Sequence, residues 1–132
     1  MFRTEGIDHV ALAVRDVRSS ARWYVDVLGL QRLHEETWGD SPAIVGNGTT
    51  AVALFPVKGE LPKPRPGSDT IAMLHLAFRV DRANFTAAKA ALSGRGIEFT
   101  EQHHGICESI YFPDPDGHRL EITTYDLERR EP

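Results

Sequence analysis

The sequence is poor in the residues that build a disulfide framework, a membrane anchor or a nucleic-acid surface. Its 132 residues include one cysteine, Cys107, which excludes an internal disulfide and a cysteine-rich zinc site. The longest apolar runs, at residues 10–14 and 51–57, are far too short to cross a membrane. Lys and Arg number 15 against 19 Asp and Glu, and this formal net charge of −4 at pH 7 argues against a protein that binds phosphate backbones.

The start of the chain also lacks the pattern of a secretion signal. Glu5 and Asp8 interrupt the stretch in which a continuous apolar segment is required. We therefore expect a cytoplasmic protein with neither nucleic-acid nor membrane partners. What is present, 41% hydrophobic and 26% charged residues, is typical of a globular domain, and the length suits one domain or two half-size modules that share a core.

Residues 6–56 predict a first β-α-β-β-β module. Residues 6–14 alternate at the period of a strand and place His9 on a face of small side chains. Asp16 has the position of a helix cap, the apolar residues after it recur at helical spacing, and Gly29 ends the helix. Shorter strand-like runs complete the module at residues 31–37, 41–45 and 49–55, and the last two are joined by the hairpin signal Gly46-Asn47-Gly48.

Residues 57–70 are rich in proline and predict a surface linker, after which the same order restarts at about residues 71–126. Asp81 has the position of a helix cap, and Gly94 and Gly96 are expected to stop the helix. The second module is predicted to contain a helix over residues 82–93, strands at 73–80, 97–102, 109–112 and 119–125, and a charged tail at 127–132.

The two modules carry a histidine at the same position. His9 and His75 each lie on the small-residue face of the strand that opens a module. Equivalent positions of a two-fold repeat approach one another near the pseudo-symmetry axis, so the repeat predicts that these imidazoles lie close together. The fold class that follows is α+β, with two paired β-α-β-β-β modules in a single domain of residues 1–132.

The second module adds a carboxylate to this pair. Glu121 lies on a strand face that carries other polar side chains, Arg119, Thr123 and Tyr125. Counting from the turn glycines gives Val52 as the equivalent position in the first module. Two imidazoles and one carboxylate bind Fe2+ and also suit Mn2+, Co2+, Ni2+ or Zn2+, with positions left for water or a chelating substrate. Each residue alone also has an ordinary interpretation, as a hydrogen-bonded strand histidine or a solvated glutamate.

Four segments of the sequence resemble the vicinal oxygen chelate superfamily. They are His9-Val-Ala-Leu-Ala-Val-Arg-Asp, Trp23-Tyr24-x-x-x-Leu28-Gly29-Leu30, His75-Leu-Ala-Phe and Ser109-Ile-Tyr-Phe-Pro-Asp-Pro-Asp-Gly-His-Arg-Leu-Glu121. The superfamily includes glyoxalase I, extradiol dioxygenases, fosfomycin-inactivating transferases and bleomycin-binding proteins. The resemblance covers nearly the whole chain, and the segment from Asp114 to Glu121 is its most specific part.

The resemblance implies paired modules whose curved mixed sheet cups a divalent metal ion, with His9, His75 and Glu121 as the ligands. It also implies a homodimer, because single-chain members of this size usually dimerise. In several of them, each site combines the ligand on the first strand of one chain with the other two ligands from its partner. Glyoxalase I has a fourth ligand, usually a glutamate, where our register places Val52, and this difference argues against a glyoxalase reaction.

Two other branches share the three-ligand set. Ser109, Tyr111 and Arg130 are similar to residues around the phosphonate in the fosfomycin transferases, which makes them substrate-binding candidates. Against that branch, Ala11 replaces a threonine and Glu101 replaces a lysine, and a carboxylate beside a bound phosphonate costs about 1 kcal/mol even when well solvated. Extradiol dioxygenases need further acid-base residues, and the candidates are Tyr111 and His118.

Two functions therefore stay open. The first is a metal-dependent lyase, dioxygenase or transferase that chelates adjacent oxygens of a small substrate, in which Glu121 and Tyr111 act in catalysis. An anionic portion of the substrate would be bound by arginines on the cavity side, Arg79, Arg119 or Arg130. The second is sequestration of an aromatic, drug-like ligand without a metal, as in the bleomycin-binding relatives, on a stacking surface supplied by Trp23, Trp38 and Phe55.

Overall fold

Two β-α-β-β-β modules follow one another along the chain, as the repeat predicts. The computed structural model describes residues 1–128, and the chain divides into two compact units with a boundary between Lys63 and Pro64. The first unit contains β1 (His9–Val14), α1 (Val17–Leu28), β2 (Gln31–Leu33), α2 (Glu35–Trp38), β3 (Ala43–Asn47) and β4 (Thr50–Pro56). The second contains β5 (Leu76–Arg79), α3 (Arg82–Gly94), β6 (Thr100–His103), β7 (Glu108–Pro113) and β8 (Arg119–Thr124).

Each unit has one four-stranded mixed sheet, and the two sheets have the same topology. The strand order is β1-β4-β3-β2 in the first unit and β5-β8-β7-β6 in the second. In each sheet the strand before the long helix pairs in parallel with the last strand, and the other pairings are antiparallel. The predicted α+β class is therefore confirmed. Within residues 1–128, no helix combines the length and apolar character that a membrane span requires.

The two long helices begin where the predicted caps stand. Asp16 accepts a hydrogen bond from the backbone N–H of Ser19 at 2.9 Å, and Asp81 accepts one from the N–H of Asn84 at 2.9 Å. Gly29 ends α1 in the left-handed conformation, with φ of 68°. The stop predicted at Gly94 and Gly96 is confirmed: α3 ends at Gly94, one residue beyond the predicted end, and Gly96 has a φ of 69°.

Three predicted strands are too long at one end, and the run at 97–102 is a strand only from Thr100. The run at 31–37 is a strand only to Leu33, because His34 has a φ of 56° and the chain then enters the short helix α2. The run at 73–80 is a strand only from Leu76. Arg65 explains this delay, because its Nη2 donates to the carbonyls of Met73 and Leu74 at 3.1 and 2.8 Å and so occupies backbone acceptors that a ladder would use.

Alternate residues of each sheet face a helix and form the core of that unit. Side chains buried on the helix side include Leu12, Val14, Val52 and Leu54 in the first unit and Ile110, Leu120 and Ile122 in the second. They pack with buried residues of the helices, among them Tyr24 of α1 and Phe85 of α3. The opposite face of each sheet, called here the open face, carries His9 in the first unit and Glu121 in the second.

Arg82 ties the start of α3 to the second sheet. Its guanidinium donates to both oxygens of Glu108 at 3.1 and 3.4 Å, and its Nε donates to the carbonyl of Asp126 at 2.9 Å. Both side chains are largely buried, at 20% and 25% exposure. The hydrogen bond from Arg82 lowers the pKa of Glu108 below its ordinary value of 4.5.

Removing Phe85 should destabilise the protein strongly. This ring is 1% exposed, so Phe85→Ala removes transfer energy and leaves a cavity, at a cost of about 3–5 kcal/mol in the free energy of unfolding. Phe2→Ala is the matched control, since Phe2 is 86% exposed and should change stability by less than about 0.5 kcal/mol. Urea denaturation measures both, and equal effects would contradict the assignment of the core.

The Arg82–Glu108 pair should make stability depend on acid pH. The folded pKa of Glu108 lies below the unfolded value, so the stabilisation is present above the unfolded pKa and is lost as pH falls through the folded pKa. At neutral pH, Glu108→Gln should lower the free energy of unfolding by about 1 kcal/mol, and this difference should shrink below about pH 4. Denaturation at several pH values measures it, with the exposed Glu98→Gln as control. A difference that does not change with pH would contradict this role.

Candidate metal centre

Glu121 is a carboxylate buried on the open face of the second sheet. Its side chain is 10% exposed, and its oxygen Oε1 lies 2.9 Å from Nε2 of His75. Its other oxygen, Oε2, accepts a hydrogen bond of 2.7 Å from the hydroxyl of Ser109, which is fully buried. The two predicted ligands of the second module therefore lie side by side, and Ser109 lies behind them.

Tyr111 borders this pair. It is directly opposite Glu121 in the β7–β8 ladder, and its ring packs edge-on against His75 with the ring centroids 5.6 Å apart. Burial, followed by the charge of Glu121, raises the pKa of the Tyr111 hydroxyl above its ordinary value. That hydroxyl lies 3.2 Å from Nε2 of His104.

His104 is also a neighbour of the site. The repeat gives it no equivalent in the first module, so the sequence favours a surface or loop role, with the border of a pocket entrance as the alternative for the His103-His104 pair. The contact with Tyr111 supports the alternative.

His9 opens β1 in the first unit and is level with Ala51 of β4. Its side chain is half exposed, and Nδ1 lies 2.8 Å from a carboxylate oxygen of Asp8. Among the described residues, Nε2 has no hydrogen-bond partner. A carboxylate on one ring nitrogen is the usual arrangement of a metal-binding histidine, because it orients the ring and raises the basicity of the other nitrogen.

The donors of the second unit fit a divalent ion. Two ligands bound at about 2.1 Å and at right angles are about 3 Å apart, and His75 Nε2 and Glu121 Oε1 are 2.9 Å apart. Nitrogen and carboxylate oxygen suit Fe2+, Mn2+, Co2+, Ni2+ and Zn2+. In the described part of this unit, no further His, Cys, Asp or Glu joins them to form a group of three. The unit therefore brings together two of the three predicted ligands.

The position equivalent to Glu121 in the first unit is Ala53, so the prediction of Val52 is wrong by one residue. Glu121 is level with Ala77, two residues after His75, and Ala53 is level with Ala11, two residues after His9. Counting from the turn glycines failed because the two turns differ in length: residues 48–49 join β3 to β4, whereas residues 114–118 join β7 to β8. The resulting error of one residue moves a side chain to the other face. Val52 is in the core, and the open face still has no carboxylate at this position.

Glu101 does not lie on the face that carries the candidate site. It is level with Ile110 of β7, whereas Tyr111 is level with Thr100, so Glu101 is on the helix side of the sheet. There its carboxylate accepts a hydrogen bond of 2.9 Å from Nζ of Lys89 on α3. The expectation that Glu101 opposes a bound anion is therefore wrong, and this objection to a phosphonate substrate is removed.

The four substrate-binding candidates of the second unit, Arg119, Arg79, Ser109 and Arg130, differ in their surroundings. Arg119 lines a cavity of about 300 Å³ together with His75, Tyr111 and Arg65, and its guanidinium lies 4.6 Å from the centre of the Tyr111 ring. Arg79 is exposed and lies over the ring of Tyr125, at 4.3 Å. Ser109 is fully buried and engaged with Glu121, and Arg130 lies outside the described residues.

The open face of the first unit forms a cleft of about 1030 Å³. His9 lines it, its floor includes Ala51 and Ala53, and the exposed rings of Trp38 and Phe55 stand at its sides. No Lys or Arg lines the cleft, in contrast to the cavity beside Arg119. Trp23 does not line it; its ring packs edge-on against the buried Tyr24 at 5.1 Å.

Several known proteins are similar to this chain over most of its length. Biphenyl-2,3-diol 1,2-dioxygenase 3 of Rhodococcus globerulus is 32% identical over 129 residues, which cover 92% of this chain and 64% of that protein. The chain thus spans less than two thirds of the dioxygenase. Glutathione transferase FosA of Serratia marcescens is 31% identical, over 96% of this chain and 85% of its own length.

Comparison with solved structures agrees with these sequence matches. A glyoxalase/dioxygenase of Nostoc punctiforme has a solved structure that matches with a TM-score of 0.78 and 27% identity, over 94% of this chain and 92% of that one. Residues 6–122 match the family model of the glyoxalase/bleomycin resistance protein/dioxygenase superfamily. The resemblance seen in the sequence is therefore confirmed, and the chain belongs to this superfamily.

Proposed function

We propose that the protein is a divalent-metal-dependent enzyme that chelates adjacent oxygens of a small substrate, with His9, His75 and Glu121 as the metal ligands. The observation that carries this proposal is the buried Glu121 carboxylate, whose Oε1 lies 2.9 Å from His75 Nε2 on the open face. His9 has the equivalent place in the repeat and has Asp8 on its other ring nitrogen. Divalent-metal dependence is typical of the superfamily.

The ion, when bound, supplies a Lewis acid for negative charge that develops on the chelated oxygens. The residues of the chain have separate tasks around it. Tyr111 presents a hydroxyl beside Glu121 and His104 and is proposed to hydrogen-bond the substrate or hold a proton at that oxygen. Arg119, with Arg79 and Arg130 as further candidates, is proposed to bind an anionic portion of the substrate.

Comparison with the known branches of the superfamily reduces the number of candidate reactions. A glyoxalase reaction is disfavoured, because Ala53 stands where a fourth, carboxylate ligand would be needed. Ring-cleaving dioxygenase and thiol transferase reactions both suit a three-ligand site, and relatives of both kinds match this chain. Repulsion between Glu101 and a bound phosphonate does not argue against the transferase reaction, because Glu101 lies on the helix side and is paired there with Lys89.

Sequestration of an aromatic ligand is the second candidate function. Its support is the cleft of the first unit, where Trp38 and Phe55 are 49% and 42% exposed beside a floor of alanines. Calorimetric titration of a planar aromatic diol into metal-free and metal-loaded protein separates the two functions. Affinity that disappears on metal removal supports the enzyme, whereas affinity that is unchanged supports sequestration.

Glu121→Gln should abolish tight metal binding. The amide is neutral and cannot supply the anionic oxygen, so we expect the affinity for Ni2+, measured by calorimetry, to fall by at least about 100-fold. Glu101→Gln is the matched control, because it changes a glutamate on the other face of the same sheet and should bind Ni2+ as the natural sequence does. The proposal fails if the unsubstituted protein holds no metal by elemental analysis after reconstitution, or if Glu121→Gln binds Ni2+ normally.

We further propose a homodimer in which His9 of one copy completes the site of the other. Light scattering should then give twice the chain mass of 14.7 kDa. Mixed dimers of His9→Ala and Glu121→Ala chains, isolated with two different affinity tags, should bind one Ni2+ tightly. If the ligands are shared between chains, one site combines the intact His9 of one chain with the intact His75 and Glu121 of the other, and the second site carries both substitutions. If each site is confined to one chain, both sites carry one substitution. A mixed dimer without a tight site would contradict sharing, and a mass of 14.7 kDa would contradict the dimer itself.

A further inference from the structure

We infer that Ser109 is a positioning residue that selects which oxygen of Glu121 binds the metal. The inference rests on the proposed function, since it takes Glu121 as a ligand. The sequence comparison made Ser109 a substrate-binding candidate, but its side chain is 0% exposed and its hydroxyl is already engaged with Oε2 of Glu121 at 2.7 Å. A hydroxyl in this place does not contact the substrate itself and is proposed to act through the carboxylate.

The register of the second sheet brings the two side chains together. Tyr111 is level with Glu121, and Ser109 is level with Thr123, so Ser109 and Glu121 are diagonal neighbours on the open face. Thr123 supports the arrangement, since its Oγ1 lies 3.0 Å from the Ser109 hydroxyl and 3.3 Å from the carbonyl of Glu108. The Ser109 hydroxyl has one proton to donate, and it donates that proton to Oε2 of Glu121, because this contact is the shorter one and the acceptor is anionic.

This hydrogen bond makes the two carboxylate oxygens unequal. Oε2 is occupied by Ser109, and Oε1 lies at 2.9 Å from His75 Nε2, so Oε1 is the oxygen directed toward the second ligand. The carboxylate is thereby held for binding through one oxygen. Without the hydroxyl, Oε2 becomes a buried acceptor with no partner from Ser109, and the carboxylate gains freedom to turn or to bind through both oxygens.

Removing the hydroxyl should weaken the metal site without unfolding the protein. We expect Ser109→Ala to lower the affinity for Co2+ by about 10- to 100-fold, the usual effect of losing a hydrogen bond to a ligand. It should also change the visible absorption of bound Co2+, because the coordination of the carboxylate changes. Circular dichroism of the metal-free variant checks that the fold is retained.

Thr124→Val is the matched control for loss of a buried hydroxyl on the same sheet. The Thr124 hydroxyl is fully buried and accepts a hydrogen bond from the N–H of Asp126 at 3.1 Å. Thr124 follows Thr123 in β8, so its side chain is on the helix side of the sheet and not on the open face. This variant should bind Co2+ with the affinity and spectrum of the natural sequence. If Ser109→Ala does not fold, Thr123→Val takes its place, and we expect a loss of about 3- to 10-fold because Thr123 acts on Glu121 through Ser109.

The outcomes distinguish this inference from the proposed function. Tight Co2+ binding by the natural sequence, with unchanged affinity and spectrum in Ser109→Ala, would overturn the role of Ser109 and leave the metal site standing. The same holds for an unchanged Thr123→Val if that variant is the one measured. No Co2+ binding by the natural sequence would overturn both, and weakening in Thr124→Val equal to that in Ser109→Ala would reduce Ser109 to a general structural role.

Discussion

A carboxylate buried away from water loses its hydration, and hydrogen bonds or a bound ion must compensate for that loss. Glu121 is such a carboxylate, and the proposed site depends on it. Its neighbours on the open face supply that compensation: His75 contacts one oxygen at 2.9 Å and Ser109 donates to the other at 2.7 Å. A sheet does not need such a group for stability, since an apolar residue at the same place would cost no desolvation. The buried charge therefore supports our proposal that Glu121 binds a divalent ion together with His75.

The duplicated architecture accounts for where the site residues lie. Each module has one face of its sheet covered by a helix, and the other face is left to carry His9 or His75 at the start of the first strand. The modules then differ in chemistry. The first has a cleft whose lining contains no Lys or Arg, and the second has a smaller cavity that Arg65 and Arg119 line.

Sequence patterns predicted the features that depend on local spacing. Period-two alternation, the caps Asp16 and Asp81, and the left-handed Gly29 each follow from a few neighbouring residues. Face assignments were less secure where they did not follow from alternation along one strand. Counting from the turn glycines gave Val52 where the strand pairing gives Ala53, and the resemblance placed Glu101 beside a substrate although it lies on the helix side. The partnership of Ser109 with Glu121 and the approach of His104 to Tyr111 depend on strand pairing, which a single sequence does not specify.

A crystal structure of the Mn2+-loaded protein, with anomalous scattering measured at the metal, tests the proposed ligand set directly. We expect one anomalous peak for each chain, within about 2.4 Å of His75 Nε2, Glu121 Oε1 and Nε2 of a His9, with Ser109 still bonded to the other oxygen of Glu121. A peak bound by other residues, or a His9 ring that points away from every ion, would contradict it.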